Sequence, residues 1–437
     1  MAFEPFSETG KETEENMMKR VAWAGIVCLW ILASGCTPAS QHPNETGADG
    51  ESVNTVAELK DGAETMESGY WIESSDMQID DAYQVDEIVL SEEEMAYVKE
   101  HMAVIADACQ EIYAQADKGT ALNVVLEEET VHEMGEAAAA QGVAVTCANY
   151  DHNMWNYENV DRQLRAGESG QEAETEFYSI TSNGYIKYFG LEFESGELVV
   201  TYGNGNFDEN LGLNILQMEK FRVYDWEYTQ KGWLIWEKAL SQNQEMDMHS
   251  FFRILPLDDM CRELGNKYIL PVGYFCNNLF LTDWDMESLD PIEFNDLYDF
   301  LYRMKYGESL DGEQAKEGIE KRNFEEVIQT FFDISAEDLE IYARYDSDLG
   351  VYPWEPIGAL NRVPQFQPFP EVVKCTDNGD GTWTLYVEAI FVENGTDCSF
   401  KHAVTMKETE EGWKYMGNEV DEKGSESIPE YQPRYLF

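Results

Sequence analysis

Positive charge is what this 437-residue chain has least of: 29 lysines and arginines stand against 86 aspartates and glutamates, with six histidines, for a formal net charge of −57. It has no basic patches to replace the counterions of phosphate, so nucleic-acid binding is excluded, and anionic lipid headgroups and wall polymers are repelled. A phosphate-cradling GxxxxGK loop is absent. No pair of the eight cysteines has the C-x-x-C spacing of a zinc or redox site. His42, His101, His152, His249 and His402 are scattered, and none accompanies a glycine-flanked serine or a cysteine nucleophile signature. No metal and no cofactor is therefore expected. The apolar run from Val21 to Leu32 falls short of the ~20 residues a membrane-spanning helix needs.

That short run carries a different message. It follows Lys19 and Arg20 and closes on Leu32-Ala33-Ser34-Gly35-Cys36. Cations, an uncharged apolar core, small residues and then cysteine resemble a bacterial lipoprotein signal with its lipobox. The resemblance implies cleavage between Gly35 and Cys36, lipidation of Cys36, and a location at the outer side of the cell membrane, held by an N-terminal lipid. Upstream, Met1 to Asn16 carries five glutamates and one lysine, unlike the positive start of a signal. Translation is expected to begin at Met17 or Met18.

Removing residues 1–35 leaves 402 residues with 81 acidic and 26 basic side chains, a net −55. With 43% hydrophobic and 13% aromatic residues, the chain still suits a packed globular protein. At ~150 residues per domain its length suggests two or three domains. The acidity reads as a solvated surface, with divalent cations or basic peptides as the partners it would attract. Cys109, Cys147, Cys261, Cys276, Cys375 and Cys398 remain after processing. Export permits disulfides, but a chain of this size does not need them, and buried thiols are the expected state. Cys375 and Cys398 fall on expected strands with a third between them. Residues 37–69 are polar with scattered single apolar residues, a composition for a tether spanning roughly 30 Å.

The first folded unit opens with Ser91 as N-cap, Glu94 as capping-box partner and Leu90 stapled to Met95. Met95, Val98, Met102, Ile105, Cys109, Ile112 and Ala116 then form one helical stripe, ended by Lys118 and Gly119. A strand over 122–126, a helix over 128–141 and a strand over 143–147 follow as a short β-α-β stretch. From 176 to 239 short strands separated by Gly and Asn read as an antiparallel meander. The polar break at 241–245 is the expected domain boundary. Beyond it, Asp290 as N-cap, Pro291 in the first helical position, Glu293 as capping partner and Leu289 stapled to Phe294 start a helix. Phe294, Leu297, Leu301 and Met304 are its buried stripe and Gly307 its stop. Further helices are expected at 323–332 and after Ser335, whose partner is Asp338. Strands are expected at 371–375, 382–392, 399–407 and 413–418. The fold class expected is α+β, in two domains that each run from helices into a β-meander. Residues 1–35 are extension and signal, 36–69 tether, 70–245 the first domain and 246–437 the second.

Four places invite a chemical reading. His132-Glu133-Met134-Gly135-Glu136 has the start of a zincin helix but Glu136 where the second histidine belongs, so it reads as an exposed acidic helix. Asp377 to Gly381 has glycine at the third and fifth positions of a calcium loop and reads as a hairpin turn. Asp225 with Glu227, or Asp283 with Asp285, are candidate carboxylate pairs for glycoside hydrolysis, though 81 acids make such pairs common by chance. Tyr224, Trp226 and Tyr228 share one strand face, with Trp233 and Trp236 past the turn: a candidate sugar-stacking platform, or cross-strand aromatic packing.

Thr229-Gln230-Lys231-Gly232-Trp233, the run from Pro271 to Trp284, and the run from Asn295 to Gly307 together resemble large lipoproteins of Gram-positive anaerobes that carry a domain of unknown function. That resemblance implies export and lipidation and brings no catalytic residue with it. The expected function is non-enzymatic binding of an extracellular ligand or protein. A glycan hydrolase built on a carboxylate pair and a transporter solute-binding lipoprotein are the alternatives, the latter calling for repeated βαβ units.

Overall fold

The computed structural model describes residues 86–119, 123–147, 153–238, 248–358 and 366–434. Gly35, Cys36, the signal, the tether and the polar break at 241–245 lie outside them. Among the described residues, no helix is long and apolar enough to cross a membrane.

The order begins β1 Asp86–Ile88, α1 Glu92–Gln115, α2 Glu128–Ala139, β2 Val145–Cys147, α3 Glu158–Glu168. The strands β3 Ala173–Ile180, β4 Ile186–Glu194, β5 Glu197–Phe207 and β6 Leu213–Arg222 follow. They form a six-stranded sheet in the order β1-β6-β5-β4-β3-β2, antiparallel except where β2 runs parallel to β3. α1 starts at the expected capping box: Glu94 N–H donates to Ser91 Oγ at 3.2 Å and Ser91 N–H to the Glu94 carboxylate at 2.7 Å. Its Val98, Met102, Ile105 and Cys109 meet Val131 and Met134 of α2 over Tyr178, Ile186 and Tyr188. Side chains alternate across a strand, so Phe177, Phe189 and Leu191 point to the opposite face. There they meet Val160 and Leu164 of α3, whose Gly167 sits so close that a Cβ would lie 2.5 Å from the Phe193 ring. Burial on both faces explains the near-continuous burial along β3 and β4.

β7 Asp225–Tyr228, β8 Trp233–Lys238 and β9 Met248–Arg253 make a second, three-stranded sheet. It takes strands from both sides of the expected division between residues 245 and 246. Leu234 and Trp236 join the core over β4, while Trp233 and Ile235 turn the other way, with Phe251, toward Ile390.

The remaining elements are α4 Asp259–Leu264, continued by a π turn over Gly265–Ile269, then β10 Trp284–Asp285, α5 Phe294–Tyr306 and α6 Gly312–Ala315. After them come β11 Ile319–Glu320, α7 Lys321–Phe331, α8 Ala336–Tyr342, β12 Val351–Tyr352, β13 Phe369–Asp377, β14 Thr382–Ile390, β15 Lys401–Thr409 and β16 Gly412–Val420. β11 pairs with β12, and a five-stranded antiparallel sheet runs β10-β16-β15-β14-β13. One face of this sheet is apolar: Leu385, Val387 and Val404 pack against Leu297, Leu301, Phe324 and Ile328, while Tyr386 between them is 41% exposed. Helices and antiparallel sheets make the chain α+β.

Two local expectations are corrected. Residues 123–126 join no ladder; Leu126 N–H donates to Ser182 O and Val125 N–H to Lys118 O. The parallel crossover is instead β2-α3-β3, whose helix has too few apolar residues to announce itself. α5 starts four residues after Asp290, with Glu293 as its cap. The Asn278 amide takes the capping role: it accepts from Glu293 N–H at 3.0 Å and donates to Pro291 O at 2.7 Å, holding Asp290 and Pro291 in a preceding turn. Gly307 ends the helix in the left-handed region, at φ 71°, where glycine carries no Cβ penalty.

Candidate functional site

Along the face shared by Tyr224, Trp226 and Tyr228, exposure falls from the open Tyr224 to the buried Tyr228. Trp226 is half-buried, its ring centroid 4.9 Å from that of Phe193 and its indole N–H donating to Gly196 O at 3.0 Å. Tyr228 is buried, donating to Asp161 Oδ1 at 2.6 Å beneath the Arg165 guanidinium. Burial, then the bond to Asp161, pushes its phenol pKa up. Trp233 is 0% exposed and donates from its indole N–H to Glu371 at 3.1 Å. Only Tyr224, at 43% exposure, stands open. Tyr228 and Trp233 of the expected platform thus lie in the interior, whereas Asp225 and Glu227 on the other face of β7 are exposed.

The candidate carboxylates are tied to the backbone beside them. Asp225 Oδ1 accepts from Trp226 N–H, Asp283 Oδ1 from Val420 N–H, and Asp285 Oδ1 from Glu287 and Ser288 N–H. Glu227, on the exposed side of β7, is pushed above the ordinary carboxylate range by partial desolvation and then by the charges of Asp397 and Asp225. In the 377–381 turn, Asp377 accepts from Gly379 N–H and Asp380 from Thr382, so the carboxylates serve the hairpin. His132 sits 3.9 Å from Glu136 with its ring edge toward Trp155. Among the described residues, no group of three or more His, Cys, Asp or Glu is placed to hold a metal ion.

Two polar assemblies could not be read from spacing. Lys231 at the β7-β8 turn reaches Glu388 at 2.9 Å, Glu371 at 3.6 Å and Asp397 at 3.7 Å. Arg253 of β9 faces Glu371 at 3.4 Å and donates to the Lys231 carbonyl, and Lys401 pairs with Glu388 at 2.6 Å. Burial lifts the Glu388 carboxyl, but the bonds from Lys401 and Lys231 outweigh it and hold the pKa below its usual value. Three cations and three anions balance, so the cluster fastens the three-stranded sheet to β13 and β14 and leaves no net charge for a ligand. Its only sequence trace is the lysine inside Thr229-Gln230-Lys231-Gly232-Trp233.

The second assembly centres on His402. Its Nε2 accepts from Tyr274 O–H at 2.9 Å, and its Nδ1–H donates to Asn418 Oδ1 at 2.7 Å. Asn418 spends its own amide N–H on Thr282 O at 2.8 Å, which fixes its carbonyl toward the ring. Burial pushes the His402 pKa down to about 4 against the opposing Asn418 bond. The order of groups is that of a hydrolytic triad, but all three are shut away from solvent.

Recesses mark the surface formed by the described residues. An open one of about 700 Å³ lies at the tips of the β13-β14 and β15-β16 hairpins, lined by Asp377, Trp383, Glu408 and Glu410. A crevice of about 30 Å³ runs between α4 and β13, beside Cys261, Arg262 and Val372. Neither includes the four aromatic candidates or the two carboxylate pairs.

A family model matches residues 95–434, from the first turn of α1 to the buried Arg434. The chain belongs to DUF6070, a family of unknown function. The DUF6070 span takes in the three-stranded and five-stranded sheets, the Lys231 cluster and the His402 assembly, and carries no assigned role to any of them. No curated protein and no solved structure matches the chain.

Proposed function

We propose that this DUF6070 protein is a lipid-anchored binding protein, held through Cys36 on the outer side of the cell membrane and engaging an extracytoplasmic ligand or protein without catalysing a reaction. The address rests on the ordered signal from Lys19 to Cys36. One observation supports the binding reading: apart from Glu227 and Tyr224, the candidate groups among the described residues, and the His402 assembly with them, are engaged inside the fold. Asp225, Asp283 and Asp285 hold backbone N–H groups, Tyr228 and Trp233 donate into the core, and His402 is closed between Tyr274 and Asn418. Among the described residues, the acid-lined recess with Trp383 and the exposed Tyr224 are open to a partner.

The raised carboxyl of Glu227 is the observation that favours the glycan-hydrolase alternative, since a general acid needs such a shift. Thermal unfolding against calcium, amino acids, peptides and glycans separates the readings. A ligand present at 100 times its dissociation constant adds ~2.7 kcal/mol, a midpoint rise of about 5 to 10 °C for domains of this size. Binding predicts such a rise with one class and no consumption of it. Glycan turnover lost in Glu227→Gln would replace this reading with the hydrolase.

A further inference from the structure

The five-stranded sheet lays one face on helices, and beyond the end fastened by Lys231 its other face is open. Side chains alternate along a strand, so Tyr386 and its neighbours stand opposite the core side chains Leu385, Val387 and Val404. Register sets them in rows. Lys374 of β13 lies beside Tyr386 of β14, which lies beside Ala403 of β15 and, through it, Glu419 of β16. The next row is Thr376, Thr384, Thr405 and Gly417, and in the third Thr382 stands beside Lys407. Lys374, Tyr386 and Lys407 are exposed, with the Lys374 ammonium 5.1 Å from the centre of the Tyr386 ring. The Asn378 amide extends the hydroxyl rows, donating to Thr382 Oγ1 at 3.0 Å and to Thr384 Oγ1 at 3.1 Å. The surface is thus broad, rich in hydroxyls and low around one projecting ring, since Ala403 and Gly417 add little height.

The charge of this face runs against that of the molecule. On it Lys374, Lys401 and Lys407 meet Glu388 and Glu419, and Glu388 is already bound by Lys401 at 2.6 Å and Lys231 at 2.9 Å. Lys414, beside Lys407, turns to Phe332 O at 3.4 Å. Among the described residues, Lys374 and Lys407 have no ion pair. The acids of the same hairpins go the other way: Asp377 and Glu408 continue the series of Cys375 and Met406, which face the helices. A net charge of −57 repels anions from afar, but that repulsion is screened beyond ~8 Å at physiological ionic strength, so contact is decided by the groups on the face. Backbone groups within a sheet are spent on its ladders, so a peptide strand laid on this face gains none of them, whereas hydroxyls and a phenol ring suit sugars. We propose that the open face of β13, β14, β15 and β16 docks an acidic polysaccharide, with a sugar ring against Tyr386 and sugar carboxylates at Lys374 and Lys407. Strand spacing and rise set those two lysines roughly 16 Å apart, so one short stretch of the polymer reaches both. The inference deepens the binding reading by naming a ligand class, and it can fail alone: a thermal shift with another class would keep that reading and remove this one.

The test is calorimetric titration of the full chain with polygalacturonate, neutral dextran and polyglutamate, at low and high salt. The expected result is binding of polygalacturonate above the other two, weakening as salt rises. Lys374→Glu and Lys407→Glu should each lose about tenfold in affinity and Tyr386→Ala should weaken binding as well. Lys99→Glu, on α1, makes the same change in net charge and should lose nothing. All four side chains are exposed, and the unliganded melting midpoint of each variant checks its fold. No binding by the wild-type chain, equal affinity for dextran, or an equal loss in Lys99→Glu overturns the proposal. Polyglutamate bound as tightly as polygalacturonate would replace the sugar with an acidic protein and overturn it too.

Discussion

Arg434 donates from Nε to Asp296 Oδ1 at 2.9 Å with neither side chain reaching solvent, joining the last described residue to the first turn of α5. The same guanidinium donates to Asp299, to the carbonyls of Asn295 and Asp296, and to Glu355 O, while Tyr431 O–H bonds the other Asp296 oxygen. A tail with little apolar content is thus fixed by charge-assisted hydrogen bonds to Asp296, Asp299 and the carbonyls around them.

Arg434→Ala strands the Asp296 carboxylate in the interior, and breaking a buried pair from one side costs about 3 to 5 kcal/mol. Urea unfolding should show that loss in the midpoint. A change under ~1 kcal/mol would mean the tail is held by something other than this pair.

Glu371 makes a parallel case at the seam between sheets. It accepts from the Trp233 indole and faces Arg253 and Lys231. Glu371→Leu leaves Arg253, 7% exposed, without its carboxylate, and the expected cost is again about 3 to 5 kcal/mol. Glu371→Gln retains an oxygen for the indole and should lose less. Tryptophan fluorescence should shift in the leucine variant alone, and the same spectrum in both would remove the Trp233 bond from the account.

How much of this was legible in the sequence depends on whether the cause was local. The Ser91 box, the Gly307 stop, the Ser335 cap and the four strands after residue 366 are written in neighbouring residues and are found within two residues of expectation. The Asp290 start looked equally local, but Asn278, held elsewhere in the fold, moved it. The meander aromatics were legible as a face and not as an inside, because which face of β7 and β8 is covered depends on β4 and β13. Lys231, Glu371, Glu388 and Asp397 are far apart in the chain, and no spacing rule gathers them.

Ser91→Ala removes the largest influence on Glu94, whose pKa the serine bonds, with help from Lys220, draw down to about 2. The variant should raise that pKa, measured by carboxyl NMR titration, and lower stability by about 1 kcal/mol, the usual value of an N-cap. An unmoved Glu94 would leave Lys220, 2.9 Å away, as the controlling partner.

His402 gives the fold a pH dependence whose sign follows from its burial. In the unfolded chain the ring titrates near its ordinary 6.5, whereas between Tyr274 and Asn418 it holds a proton only below about 4. Between those values the unfolded chain binds the extra proton, so stability is complete above pH 6.5, falls as pH drops, and levels off below 4. The whole shift corresponds to about 3 kcal/mol, of which roughly 2 should be gone by pH 5. His402→Gln has no ring to protonate, so its unfolding free energy between pH 6.5 and 5 should be flatter than that of the wild type by that amount. Carboxylates that titrate in the same range are common to both proteins and cancel in the difference. Parallel pH profiles for the two would show that His402 accepts its proton in the folded state, and that the Tyr274–His402–Asn418 chain opens to water.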